Sequence, residues 1–153
     1  MNNEQLGAFD VFFERIYKGH TGAAQLSFAL IQVSQTWDDL IDKDKPCTDK
    51  DINSAFINSL FTMQQNPLWH QCALSHHIFN VYLRWRDATA IETSSPSDDD
   101  LNKCYMLRAG MYDLFAIIAY HIGGDDWAAI VGPEIRRFYG EKLNEYKEEI
   151  RNA

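Results

Sequence analysis

Between residues 22 and 43 apolar side chains return every three or four positions, as Leu26, Ala29, Leu30, Val33, Trp37, Leu40 and Ile41. This stripe constrains the fold more than any other feature, because a period near 3.6 marks one face of a helix. About six turns of it make a rod long enough to run through the centre of a small domain. The other segments repeat the pattern. Residues 4–18 place Leu6, Phe9, Phe13, Ile16 and Tyr17 at helical spacing, with Gly19 as a stop. Thr48 is a natural cap for a third helix, 49–64, whose Ile52, Phe56, Leu60 and Met63 are expected to face inward. Asn66-Pro67 breaks the chain and starts a fourth helix, to about residue 91, built on Leu68, Cys72, Ile78, Phe79, Tyr82, Leu83 and Trp85. Ser97, followed by Asp98, Asp99 and Asp100, caps a fifth over 98–122 that Gly123-Gly124 ends. A short helix at 125–131 is interrupted by Gly132-Pro133, and a last one over 134–151 carries a charged, solvated tail. With no strand-like alternation, repeat or linker, the chain is expected to be one all-α domain over 1–153, a bundle of five or six helices.

Composition narrows the function classes. A domain of 153 residues buries roughly two-thirds of its unfolded surface, and 46% hydrophobic with 13% aromatic residues can fill that core. The net charge of −8, with basic residues scattered, argues against a nucleic-acid partner. It favours small ligands held through metal, or a basic protein partner. Cys47, Cys72 and Cys104 are odd in number and far apart, without CxxC or paired His spacing, and read as reduced thiols. The start Met1-Asn2-Asn3-Glu4-Gln5 lacks the features of a signal peptide, and no uncharged apolar run reaches about 18 residues. A cytoplasmic protein with no membrane partner is expected.

Chemistry concentrates in Gln35-Thr36-Trp37-Asp38-Asp39-Leu40-Ile41-Asp42 at the end of the second helix. Asp38 and Asp42, four apart, stand one turn above each other, and Asp39 lies about a quarter-turn round. Like charges so stacked repel by a few tenths of a kcal/mol, a cost that a divalent cation removes. Oxygen ligands without nearby Cys or His suit magnesium, which takes one or two carboxylates plus water and phosphate. A solvated acidic helix end is the other reading of the same residues.

Asp38-Asp39-Leu40-Ile41-Asp42, preceded by Leu30-Ile31-Gln32-Val33-Ser34, resembles over about 20 residues the first DDxxD motif of the trans-prenyltransferase and terpene-synthase superfamily. That resemblance implies an isoprenoid-synthase-like core, magnesium ligated by Asp38 and Asp42 with Asp39 auxiliary, and a prenyl diphosphate held by the metal. Phe28, Phe79, Tyr82, Tyr112 and Phe115 would be counterparts of that family's aromatic interior. Where the family carries an arginine pair this chain has Lys43, Asp44 and Lys45, and Asp125-Asp126 is a DD pair without a third acid. A broader similarity links the chain to small tailed-phage proteins, through Trp37-Asp38-Asp39-Leu40-Ile41-Asp42, Tyr105-Met106-Leu107-Arg108-Ala109 and residues 132–141, and implies an accessory protein in a bacterial host.

Arg108 lies in line with Tyr105, Tyr112 and Phe115, and a guanidinium there needs an anion: the Asp38 cluster, Asp113, Glu134 or a bound phosphate. Of Arg136 and Arg137, a hundred degrees apart, only one can point inward, and Arg137 is the second candidate phosphate contact. His70, His76 and His77 lack HxxxH spacing and read as surface or core-edge residues. Three readings follow: a magnesium-dependent diphosphate-binding bundle, enzymatic or not, in which a homodimer would supply a second acidic set; a phage accessory protein that binds a host or phage protein; and, last, an all-α nucleotide pyrophosphohydrolase, whose paired ExxE is missing upstream of Asp39.

Overall fold

The long second stripe is the axis of the structure. A computed structural model describes residues 3–43 and 45–152; Met1, Asn2, Asp44 and Ala153 lie outside the described residues, as do the side chains of residues 3–5. Among the described residues seven helices of nine residues or more are present: α1 (Asn3–Ile16), α2 (Thr21–Asp42), α3 (Asp49–Ile57), α4 (Leu74–Glu92), α5 (Asp98–Arg108), α6 (Met111–Arg137) and α7 (Leu143–Asn152). No strand occurs among the described residues, so the all-α class holds. A π turn, Asn58–Thr62, and the short pieces Met63–Gln65 and Pro67–Gln71 join α3 to α4.

The core is aromatic where α1, α2 and α6 meet. Phe13, fully buried, has the rings of Phe9, Phe12, Tyr17, Phe28 and Phe115 within 5.1–5.7 Å. Phe12 stacks on Phe138 at 3.8 Å, and the Trp127 indole N–H donates to the Ile16 carbonyl at 2.9 Å, so α6 is fastened along α1. A second, smaller core under α7 gathers Ala88, Leu101, Cys104 and Tyr146. Cys72 and Cys104 are buried free thiols, and burial pushes the Cys72 thiol up to about 11, which keeps it protonated and unreactive. By length and composition, helix within 98–137 could cross a membrane; here its Leu114, Phe115, Ile118 and Ala119 are core residues.

Breaks fall at different places from those the sequence suggests. The helix expected over 98–122 divides at Ala109-Gly110, where α4 comes close: a Cβ on Gly110 would sit 3.4 Å from Val81 and 3.5 Å from the Arg84 guanidinium carbon. Gly123-Gly124, expected as an end, is only a kink. Gly124 takes φ 74°, ψ −173°, a conformation that is essentially glycine's alone, and the helix resumes because Trp127, Val131 and Ile135 beyond it are held in the core. It then runs through Pro133 to Arg137, and the real break follows at 138–142. Gly124→Ala should therefore cost about 1–3 kcal/mol from backbone strain alone, since nothing lies within 4 Å of the new methyl. Gly132→Ala, also in open space but helical, should instead stabilise by about 0.5–1 kcal/mol. Paired thermal melts check the opposite signs.

The largest departure concerns α3. Ala55 is buried, Asn58 donates to the Gln32 side-chain carbonyl at 2.6 Å, and Ser59 is half-buried, so small and polar side chains face α2. Met63 is buried as expected, but Phe56 and Leu60, expected inward, point to solvent. The π turn closes from the Met63 N–H to the Asn58 carbonyl and so adds a residue to that turn; the apolar spacing no longer continues on one face.

Candidate functional site

Three adjoining cavities open around the C-terminal end of α2. Trp37 on α2 stacks on Trp85 of α4 with centroids 5.1 Å apart and planes 6° from parallel, and Tyr82 closes against Trp37 at 6.1 Å. On one side of this aromatic wall is a cavity of about 290 Å³, lined by apolar side chains including Leu30, Val33, Met63, Trp69, Ile78 and Met111. On the other is one of about 320 Å³ that shares Trp37, Tyr82 and Trp85 and adds Asp38, Asp42, Arg86, Thr89 and Arg108. A third, of about 280 Å³, also touches Asp38, Asp42, Trp85 and Arg108 and continues to Tyr139, Glu141, Tyr146 and Glu149.

The local reasons are simple. Four-residue spacing puts Asp38 and Asp42 on the α2 face that carries the edge of Trp37, and Lys43 ends the helix in the left-handed conformation, its N–H on the Asp39 carbonyl. Asp39 goes the other way. It lines a separate cavity with Phe28, Gln35 and Cys47, 4.0 Å from the Lys45 ammonium. Two of the three aspartates therefore converge, and no group of three His, Cys, Asp or Glu side chains able to hold a metal ion occurs among the described residues.

Arg108 does reach this site, but its anion is Glu92. Its Nε donates to Glu92 Oε1 at 3.1 Å, its second nitrogen to Glu92 Oε2 and, at 3.1 Å, to Thr89 Oγ1; the Tyr146 hydroxyl also donates to Glu92. A helical side chain leans towards its helix N-terminus, which carries Arg108 along antiparallel α4 towards its end. The other candidate anions are taken. Asp113 accepts from Arg84 and Arg136, and Glu134 accepts from Arg15 at 3.0 Å. Burial works against the Arg108 charge, but the bonds and charge of Glu92, helped by Tyr146 and Asp38, outweigh it and raise its pKa. Tyr146 is raised by burial and by its bond to Glu92, and Tyr139 by burial and its bond to Glu141, so both hydroxyls stay protonated donors.

The mouth is acidic. Asp38, Asp42, Glu141 and Glu149 line it against Arg86 and Arg108, and each of these guanidiniums is already bonded to a carboxylate of its own, Asp87 and Glu92.

Of the aromatic residues expected around a ligand, only Tyr82 lines the cavities beside Asp38. Phe28, Tyr112 and Phe115 pack in the Phe13 core, and Phe79 is exposed, its ring 6.2 Å from Tyr82. The wall beside Tyr82 is built from Trp37 and Trp85 instead; the pairing of Trp37 with Trp85 depends on how α4 docks on α2, which spacing within either helix does not reveal. Arg137 is exposed on the last turn of α6, while its neighbour Arg136 makes the ion pair. His70 is exposed with Nε2 3.2 Å from the Gln64 carbonyl oxygen, His76 is exposed and His77 half-buried, and none lines these cavities. No family model, curated protein or solved structure matches the chain.

Proposed function

We propose that this protein binds a small amphipathic ligand, with its apolar part against Trp37, Tyr82 and Trp85 and its ionic head at Asp38 and Asp42. The observation that carries the reading is the shared wall: the same three rings bound an apolar cavity and the cavity that holds the carboxylate pair. A mouth so acidic repels a bare anion, and a head group enters it as a cation or on one. The donors are oxygens only, two carboxylates one turn apart, which fits magnesium bridging to phosphate oxygens. The head is accordingly a diphosphate carried on magnesium, with Arg108 at its edge. The DDxxD resemblance points the same way, since it implies metal at the end of a long helix with an apolar chamber behind it.

Thermal unfolding tests this directly, because a ligand that binds only the folded state raises the midpoint. Magnesium with geranyl diphosphate at about a hundredfold excess over its Kd should raise it by roughly 5–10 °C and change tryptophan fluorescence through Trp37 and Trp85. Inorganic diphosphate with magnesium should give the midpoint shift without the fluorescence change. Asp38→Asn with Asp42→Asn should abolish both. No shift in the unmutated chain, or an equal shift in the double variant, rejects the reading.

A further inference from the structure

Residues 52–61 carry an inverted helix face. The small and polar Ala55, Asn58 and Ser59 face inward, while Phe56, Ile57, Leu60 and Phe61 are 62%, 59%, 68% and 61% exposed. We infer that this face is the two-fold interface of a homodimer, with the 49–65 helical segments of two copies packed antiparallel.

Area comes first. An aromatic side chain buries 150–250 Å², so four large apolar residues exposed to this degree offer on the order of 450 Å² of apolar surface. A standard interface buries about 800 Å² per partner, of which about 56–65% is apolar. The exposed face therefore has the size of the apolar part of one such interface.

Charge selects the occupant. From Ile52 to Leu83 the sequence has no Asp, Glu, Lys or Arg, in a chain that is 24% charged with a net charge of −8. Two copies of an acidic protein repel except where neither presents charge, and this face meets that condition. A different protein would be steered to an acidic chain through its carboxylates, and a lipid surface through flanking Lys and Arg; the face from Ile52 to Phe61 supplies neither, and Asp49, Lys50 and Asp51 stand only at its outer end.

Geometry agrees. Phe56 and Ile57 on α3 and Leu60 and Phe61 in the π turn are all exposed, and an antiparallel two-fold between residues 58 and 59 brings Phe56 and Ile57 of one protomer opposite Phe61 and Leu60 of the other. With the axis near Asn58 and Ser59, Asn53 of one protomer comes opposite Gln64 of its partner, so neutral amides close the ends. At 1.5 Å per residue the two Asp51 side chains then lie roughly 22 Å apart, beyond the screening length at physiological salt.

Sedimentation velocity on the full chain, from micromolar to near-millimolar concentration, should show twice the 17.7 kDa monomer mass. Leu60→Asp brings two carboxylates together near the axis and should give a monomer with unchanged circular dichroism, because residue 60 is exposed in the protomer. Mixing L60D with L60K should restore the dimer as a mixed species. A monomeric unmutated chain overturns the inference, whether or not it then floats with phosphatidylcholine vesicles; so does an L60D variant that still dimerises, or an L60D and L60K mixture that stays monomeric. The Asp38→Asn, Asp42→Asn variant should keep the dimer mass, which separates this result from the fate of the ligand site.

Discussion

Phe13→Ala is expected to cost about 3–5 kcal/mol, the range for emptying a phenylalanine-sized space in a core that collapses only in part. Its ring is the one that all of Phe9, Phe12, Tyr17, Phe28 and Phe115 touch, from α1, α2 and α6 and the turn after α1. Truncation therefore loosens three helices together. For a domain of this size each kcal/mol moves the midpoint by about 2–4 °C, so the melt should fall by roughly 6–20 °C. Urea unfolding should show a lower midpoint at an unchanged slope, because the surface exposed on unfolding is the same. Phe13→Leu retains most of the volume and should cost well under half as much. A loss below about 1 kcal/mol for the alanine variant would mean that the site refills and that the aromatic cluster is not what joins α1 to α2.

That cluster was partly legible in the sequence. Of the α1 and α2 stripes, Phe13, Ile16, Tyr17, Leu26, Ala29 and Leu30 are buried, while Leu6, Leu40 and Ile41, also expected on the apolar face, are exposed. Local capping chemistry was equally plain: Thr48 and Ser97 each form a reciprocal capping box, with Asp51 and Asp100, and Asn66 accepts from the Leu68 N–H. Such signals are written within a few residues. Facing is not. The 52, 56, 60, 63 spacing says which residues share a side of a helix, but whether that side meets α2 or solvent is decided by Gln32 bonding Asn58 and by the π turn. Nor does a Gly-Gly pair disclose whether a helix stops or bends, since the outcome depends on the buried contacts of Trp127 and Val131 beyond it. In the candidate site, the convergence of Asp38 with Asp42 and the turning away of Asp39 both follow from helical angles. The tryptophan wall and the Arg108–Glu92 bond arise between α2, α4 and α5, and single-helix periodicity carries no trace of them.

Glu92→Ala should produce the other large loss, about 3–5 kcal/mol, because removing one partner of a buried ion pair leaves the other charge uncompensated. The Glu92 side chain is 6% exposed and Arg108 22%, so water does little to replace the bond. Glu92 also accepts the Tyr146 hydroxyl, which ties α7 to the α4–α5 pair. Beyond that bond and the small core around Tyr146, α7 is attached to Asp98 through the buried Lys147 and the exposed Arg151, and of these the exposed Arg151 pair contributes little. Amide exchange in α7 should therefore speed up before the rest of the chain responds. Glu92→Gln keeps an acceptor but not the charge and should cost about 1.5–3 kcal/mol, while Tyr146→Phe should cost about 1 kcal/mol. The variant reaches the ligand site as well. Freed of Glu92, Arg108 still lines one cavity with the carboxylates of Asp38 and Asp42, and pairing with them neutralises the charge that would hold magnesium. Glu92→Gln should then shrink the midpoint gain from magnesium and diphosphate. A full gain retained in that variant would separate Arg108 from the aspartates, and a stability loss below about 1 kcal/mol would show that solvent already screens the Glu92 carboxylate.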